Sequence, residues 1–312
     1  MPETLIGGNF YGSVPEEIMH ELNQRMATAY WRDALEQSSG FLHEKKEWFL
    51  SPKKVSFIPY LNLKKESVVL DIGAGSGVIS AALSHHVKQV MVLEKSDENV
   101  AFMKTRFQQD NISNIQVIKG DVLDIPFKDS TFDSVILSGV LEWIPNADIN
   151  KNPKLLQLKG LKEISRVVKK GGELYIGIEN RFYLGYFAGY NDPHCGIPWV
   201  TILPRFLAKI YSERKTKKPY VNYLYSSSGY KKILKEAGFI NAKVYWAFPT
   251  YNEIKQIIPI RRNVLKYYFK NSYLSDYYVK NPNVRQKIKS ILKHILPFEM
   301  NMHSFIIIAN KC

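Results

Sequence analysis

"VVLDIGAGSGVIS", residues 68–80, joins a valine-rich apolar run to three glycines at alternate positions, Gly73, Gly75 and Gly77, with Asp71 two residues ahead of the first. Such a run, stopped by glycines, predicts a buried parallel strand that ends in a tight turn where backbone can approach a ligand. A dinucleotide loop of the form Gly-x-Gly-x-x-Gly would place its third glycine at residue 78, which is Val78. A carboxylate at the end of that strand is awkward beside a pyrophosphate. It suits a ligand that carries amino and sulfonium charges.

Working outward, the same strand-then-helix rhythm repeats. "SGVISAALSHHV" reads as a helix, "QVMVLEKS" as the second strand, and "SDENVAFMKTRFQQDN" as a helix opened by a Ser/Asp cap. "IQVIKGD" and "FDSVILSGVLEWI" are strands three and four. The helix through "LLQLKGLKEISRVV" is expected to stop at "KKGGE", and "GELYIGIEN" is the fifth strand. Alternation of this kind predicts a parallel sheet with right-handed crossovers. Upstream, residues 15–50 read as helical, with Ile18, Leu22, Met26 and Tyr30 at fourfold spacing and a break at Gly40; a second helical stretch leads through Trp48 to Leu61. After strand five, residues 181–225 show no clear period. A helix at "SSSGYKKILKEAGF" and strands at "NAKVYWAFP" and "HSFIIIANK" then complete the pattern, with a second insertion at 250–302.

Two more acids close strands. Glu94 ends the second, where it can accept bonds from both hydroxyls of a ribose, and Asp121 ends the third, where an acceptor can meet an adenine amino group. Each alone also reads as a helix N-cap. Their recurrence at three consecutive strand ends favours a nucleoside ligand.

On these residues the chain resembles the class I S-adenosylmethionine (SAM)-dependent methyltransferases of the type 11/12 kind, over about residues 45 to 245. The resemblance implies a seven-stranded Rossmann-like α/β sheet with 61–180 as the SAM-binding core, and the helical spacing upstream sets residues 1–60 apart as an N-terminal helical cap. The resemblance leaves 181–225 as a substrate-side insertion or lid, and 226–312 as completion of the core with the basic insertion at 250–302. It implies that Gly73, Ala74, Gly75 and Gly77 flank the methionine part of SAM, supported by Asp71, and that Glu94, with Lys95 beside it, holds the ribose. Asp121 and Val122 would meet adenine, and Ser138, Gly139 and Val140 would border the transferred methyl. "RVVKKGGELYI" is similar to the family's "RVLKPGG" segment, with Lys170 in place of proline. "GVLEWI", "IENRFYLGYFAGYNDPHCGIPWVTILPRFLA" and "YSSSGYKKILKEAGF" also resemble a bacterial subgroup associated with polysaccharide, lipopolysaccharide or secondary-metabolite assembly.

Methyl transfer from a sulfonium is an in-line displacement that requires the nucleophile held close and aligned; a hydroxyl nucleophile also requires a base. His194, in "NDPHCGIPW", is the candidate base, with Asp192 to orient it and Glu142 nearby as a third catalytic candidate. A histidine that merely ties down a proline-bounded turn is the alternative. Trp143, Glu179, Arg181 and the tyrosines Tyr220, Tyr223 and Tyr225 are candidates to touch the acceptor, Arg181 through a phosphate or carboxylate. The tyrosines equally suit burial on one face of a strand. His85 and His86 occupy adjacent helical positions, which point apart, so spacing supports no metal site.

Charge divides the chain. Residues 1–150 carry a net −6 and residues 151–312 a net +20. This predicts an anionic small-molecule or glycan acceptor, or a nucleic acid or anionic membrane surface met by the basic half; a solvated basic face is the bland alternative. The acidic first thirty residues do not resemble a signal peptide, no apolar run approaches a bilayer span, and the two cysteines form no framework, so a cytoplasmic protein is expected. The functional expectation is O-methylation of such an acceptor. The rivals are an RNA methyltransferase and a non-catalytic SAM-binding protein.

Overall fold

The computed structural model describes residues 14–271 and 298–312. Four short helices come first: α1 (Glu16–Met26), α2 (Trp31–Glu36), α3 (Phe41–Lys45) and α4 (Glu47–Leu50), followed by 3-10 turns at Pro52–Val55 and Ile58–Tyr60. The alternating region then runs β1 (Val68–Ile72), α5 (Val78–Ser84), β2 (Gln89–Glu94), α6 (Asp97–Gln109), β3 (Ile115–Lys119), β4 (Phe132–Ser138), α7 (Pro153–Val167) and β5 (Val168–Glu179). After it come α8 (Leu184–Phe187), α9 (Arg205–Thr216), α10 (Ser227–Glu236), β6 (Phe239–Thr250), β7 (Glu253–Pro259), α11 (Arg262–Asn271) and β8 (Ser304–Lys311).

The strands form one sheet in the order β3-β2-β1-β4-β5-β8-β6-β7. Pairs among β1 to β5 are parallel, whereas β8 runs antiparallel to both β5 and β6. Chain order reverses between β1 and β4, and that switch point opens a crevice at the carboxyl ends of the strands. Strand alternation sorts the core: Leu70 and Ile72 of β1 face α7 and α10, and Val69 faces α1, α2 and α6.

The expected seven strands become eight because the second insertion begins with an edge strand. Pairing steps from Pro249↔Ile254 to Phe248↔Gln256, so Lys255 is an extra residue. This bulge sends the buried Ile254 and Ile258 to opposite faces of the sheet, hiding the period-2 pattern from a reader of the sequence. "KKGG" likewise does not follow the helix as a cap. Helix α7 stops at Val167, Val168 is already paired with Phe132, and the register resumes at Ser134↔Glu173, so residues 169–172 bulge out of the strand. In α1 the buried residues are Met19, Leu22 and Met26; Ile18 is half-buried and Tyr30 lies beyond the helix, exposed. The stretch expected to be helical from Trp48 to Leu61 breaks into turns at Pro52 and Pro59. Tyr220, Tyr223 and Tyr225 lie outside any strand, and α9 gives the first insertion a helix. Among the described residues, no helix is long and apolar enough to cross a membrane.

Candidate active site

The turn after β1 is held from three sides. Gly73 has φ +66°, and a Cβ there would lie 2.6 Å from a methyl of Val140, so the loops after β1 and β4 touch directly. At Gly77, φ +74°, a Cβ would meet Phe107 of α6 at 2.6 Å. Arg106, stacked on Trp31 of the cap, donates to the Ser76 carbonyl at 2.6 Å, and the Ser76 hydroxyl donates to the Trp48 carbonyl at 3.3 Å. The N-terminal helices thus form a wall of the site.

Asp71 is buried and accepts the Ser80 hydroxyl at 2.5 Å. Burial raises its pKa to about 7 against the opposing pull of Ser80 and Lys54. Lys54, half-buried in the Pro52–Val55 turn, is in turn pushed down by burial. Glu94 accepts the amide of Gly75 at 3.0 Å on one oxygen, and those of Lys95 and Ser96 at 2.9 and 3.1 Å on the other. Asp121 accepts the Leu123 amide and the Lys95 ammonium, each at 2.9 Å. Burial works to raise the Asp121 pKa, but these bonds outweigh it and the net shift is downward. Ala74, Val122, Ser138 and Gly139 stand on the loops and strand end between these groups. All twelve residues expected to meet a cofactor therefore line the carboxyl ends of β1 to β4.

Beyond β4 lies a second group of acids. Glu142 follows β4, Glu179 ends β5, and Asp192 and His194 sit in the first insertion; all four are buried. His194 Nε2 is 3.8 Å from Glu142 Oε1 and 3.7 Å from Glu179 Oε2, and its Nδ1 is 3.3 Å from Asp192 Oδ1. Trp143 covers the ring edge-on, with centroids 5.1 Å apart. Both Glu142 oxygens and Glu179 Oε2 lack a hydrogen-bond partner. Burial, and then the charge of Glu142, lift Glu179 to about 7. For His194, burial opposes the proton but Asp192, Glu142 and Glu179 overcome it and raise the pKa well above the ordinary value. With three carboxylates facing it, the ring holds its proton more tightly than a free imidazole does.

The supporting shell is dense. Asp192 accepts the amides of His194 and Cys195 at 2.8 and 3.1 Å, the Thr201 hydroxyl at 2.6 Å and the Tyr220 hydroxyl at 3.0 Å. Asn222 donates to the Glu142 carbonyl at 3.1 Å, and Tyr230 to the Glu179 carbonyl at 2.9 Å. Tyr251, just past β6, works to lower the Glu179 pKa, and a Cβ on Gly139 would lie 2.7 Å from its hydroxyl.

Several expected acceptor contacts are engaged elsewhere. Arg181 donates from Nε and Nη2 to the carbonyls of Thr201 and Leu203 at 3.1 and 3.0 Å, so its guanidinium braces the insertion. Tyr220 points inward to Asp192 and Tyr225 bonds Gln157 at 2.9 Å; Tyr223 lies under the Arg205 guanidinium, 3.2 Å from its ring centre. They bind the insertion to the core and leave no open tyrosine platform. The basic insertion lies outside the described residues from 272 to 297. Lys54 and Tyr251 were invisible to sequence reasoning, since neither belongs to a motif and both arrive from elements distant in the chain.

Residues 70–176 match the family model described as "Methyltransferase domain". Protein-L-isoaspartate O-methyltransferase of Rhodopseudomonas palustris (strain BisA53) is 36% identical over 87 residues, 28% of this chain and 40% of that one. Demethylmenaquinone methyltransferase of Staphylococcus carnosus (strain TM300) is 33% identical over 162 residues, 50% of this chain and 58% of that one. The chain thus spans about two-fifths and three-fifths of the length of these curated relatives. Among solved structures, Haemonchus contortus phosphoethanolamine N-methyltransferase 2 in complex with S-adenosyl-L-methionine superposes with a TM-score of 0.51 at 18% identity, covering 90% of this chain and 59% of that one. At that identity the likeness is one of fold: the Rossmann-like α/β sheet of class I methyltransferases.

Proposed function

We propose that this protein is a SAM-dependent methyltransferase whose acceptor reacts between the end of β4 and the acids of β5 and the first insertion. One observation carries the reading. Asp71, Glu94 and Asp121 converge at consecutive strand ends around a glycine turn, on a sheet in which β8 is inserted antiparallel between β5 and β6. Glu94 and Asp121 suit a ribose and an adenine amino group, and Asp71 suits the cationic methionine end. The matches to methyltransferases support the same assignment.

Oxygen is the favoured acceptor atom. The side of the site beyond Gly139 is lined by carboxylates, which welcome hydrogen-bond donors such as hydroxyls and repel anions at the reacting end. A small, polyhydroxylated acceptor of glycan type fits that surface and agrees with the resemblance to the polysaccharide-assembly subgroup. For the anionic acceptor expected from net charge, two arginines of the first insertion, Arg181 and Arg205, both donate to backbone carbonyls.

Calorimetric titration with SAM is expected to show one site per chain, and incubation of methyl-labelled SAM with a cleared extract to place label in small, ribonuclease-resistant species. Absence of SAM binding defeats the assignment. Label in ribonuclease-sensitive polymer replaces the small acceptor with RNA.

A further inference from the structure

We propose that Glu142, Glu179 and His194 bind one divalent transition-metal ion, which holds the acceptor's oxygen beside the methyl donor. The metal set rests on geometry alone; its link to the acceptor rests on the methyltransferase reading. The three donor atoms all lie within 4.8 Å of one another, and each of the three residues is buried. Both oxygens of Glu142 and Oε2 of Glu179 are without a hydrogen-bond partner. Among the described residues, no lysine or arginine reaches within 4.0 Å of Glu142, Glu179 or Asp192, whose one ion-pair contact is His194. Three buried carboxylates around one imidazole leave negative charge in excess, which is destabilising unless a further cation or tight hydrogen bonds answer it. Two acids aimed at one imidazole nitrogen, with no hydrogen bond between them and it, form a cation-shaped gap.

The donor set selects the ion. One imidazole with two carboxylates suits Mn(II), Fe(II), Co(II) or Zn(II) better than Mg(II) or Ca(II), which favour oxygen alone. At metal–ligand distances of about 2.0–2.2 Å, neighbouring donors sit roughly 3 to 3.6 Å apart. The observed 3.7 and 3.8 Å from His194 to the two glutamates require a contraction of a few tenths of an ångström, and the two glutamate oxygens, within 4.8 Å of each other, can close the remainder by side-chain rotation. Behind the ligands stands the support a metal site requires. Asp192 faces the other ring nitrogen of His194 and is itself fixed by Thr201 and Tyr220, while Asn222 and Tyr230 pin the backbones of the two glutamates. Three protein ligands leave coordination positions for an acceptor oxygen. Tyr251, touching both Glu179 and Gly139, spans the distance from this set to the end of β4.

The test is titration of chelator-treated, dialysed full-length protein with Co(II) alone, read by visible absorption. One equivalent is expected, with the intense bands of a four- or five-coordinate nitrogen–oxygen site. Affinity should fall at least 100-fold in Glu142→Gln and His194→Gln, and about 10–100-fold in Asp192→Asn, which keeps the ligands and alters only their support. SAM affinity, measured separately, should hold in all three and serves as the folding control. Should Glu142→Gln fail to fold, Glu179→Asp, which keeps the charge and shortens the ligand, carries the same expectation of weakened cobalt binding. No bands in wild type, or uptake equal to that of His194→Gln, overturns the proposal. So does stabilisation by ethanolamine in place of cobalt, which would make the acids a receptor for an ammonium group. Loss of SAM binding with cobalt uptake intact would instead defeat the methyltransferase reading and leave the metal site standing.

Discussion

Two sets of carboxylates flank the switch point between β1 and β4, and the fold treats them in opposite ways. On the β2–β3 side, Glu94 accepts three backbone amides and Asp121 one amide and a lysine. On the β4–β5 side, neither side-chain oxygen of Glu142 has a hydrogen-bond partner and one of the two of Glu179 lacks one, and both acids share the single imidazole of His194 at 3.8 and 3.7 Å. The first set is complete as folded, and a ligand there would exchange one set of donors for another. The second is incomplete as folded and is answered only by a cation, a proton or a hydrogen-bond donor brought in. Unsatisfied buried groups cost stability, and in the metal-site proposal the bound ion offsets that cost.

The largest expected effect lies on the satisfied side. Glu94→Ala should weaken SAM binding by about 1000-fold, since hydrogen bonds to a charged acceptor are each worth about 1.5–3 kcal/mol and two ribose hydroxyls would lose theirs. Affinity within threefold of wild type would remove Glu94 from the cofactor site. Asp71 tests the join between the two sides. Its folded pKa, about 7, lies above the unfolded value of 3.8. The buried carboxylate is therefore harmless below pH 4 and fully destabilising above pH 7. Stability should fall by roughly 2–3 kcal/mol as pH rises from 5 to 7, from about 1.4 kcal/mol per pH unit for one proton. Asp71→Asn should flatten that slope in denaturant titrations while weakening SAM binding; an unchanged slope would place the titration elsewhere.

The contrast also explains what the sequence disclosed. The satisfied set is local. Asp71, Gly73 and Gly77 occupy seven consecutive positions, and Glu94 and Asp121 each stand where an apolar run ends, so pattern and spacing find them. The unsatisfied set is assembled from positions 142, 179, 192 and 194, with Tyr251 added from beyond β6. Its members were each nameable as polar residues near a strand end, but their mutual distances depend on how the first insertion folds back. The same dependence hid the partners of Tyr220, Tyr225 and Arg181, which come from the folded insertion and from α7. Strand β7 was missed because a single bulged residue at Lys255 breaks its alternation.

Replacing an acid should have opposite signs on the two sides. In chelator, Glu142→Gln should stabilise the fold by about 1–2 kcal/mol, because it removes one of three buried carboxylates that share a single imidazole. Glu94→Gln should destabilise it by a similar amount by weakening three amide bonds. Equal signs in paired melting curves would mean that the two sets do not differ as described.

Tyr251→Phe probes the one place where the unsatisfied set receives help. The phenol works to lower the Glu179 pKa, and its ring fills the space beside Gly139 and Gly177. Phenylalanine keeps the ring and removes the hydroxyl, so the loss should be small, about 1 kcal/mol of stability and less than tenfold in methyl transfer. Tyr251→Ala removes the ring as well and opens a cavity between β4 and β6, for which about 3–5 kcal/mol is expected. If Phe were as damaging as Ala in paired denaturation curves, the hydroxyl would carry the contact and Glu179 would belong with the satisfied acids. A loss confined to Ala would assign Tyr251 to packing and leave the carboxylate of β5 dependent on what binds it.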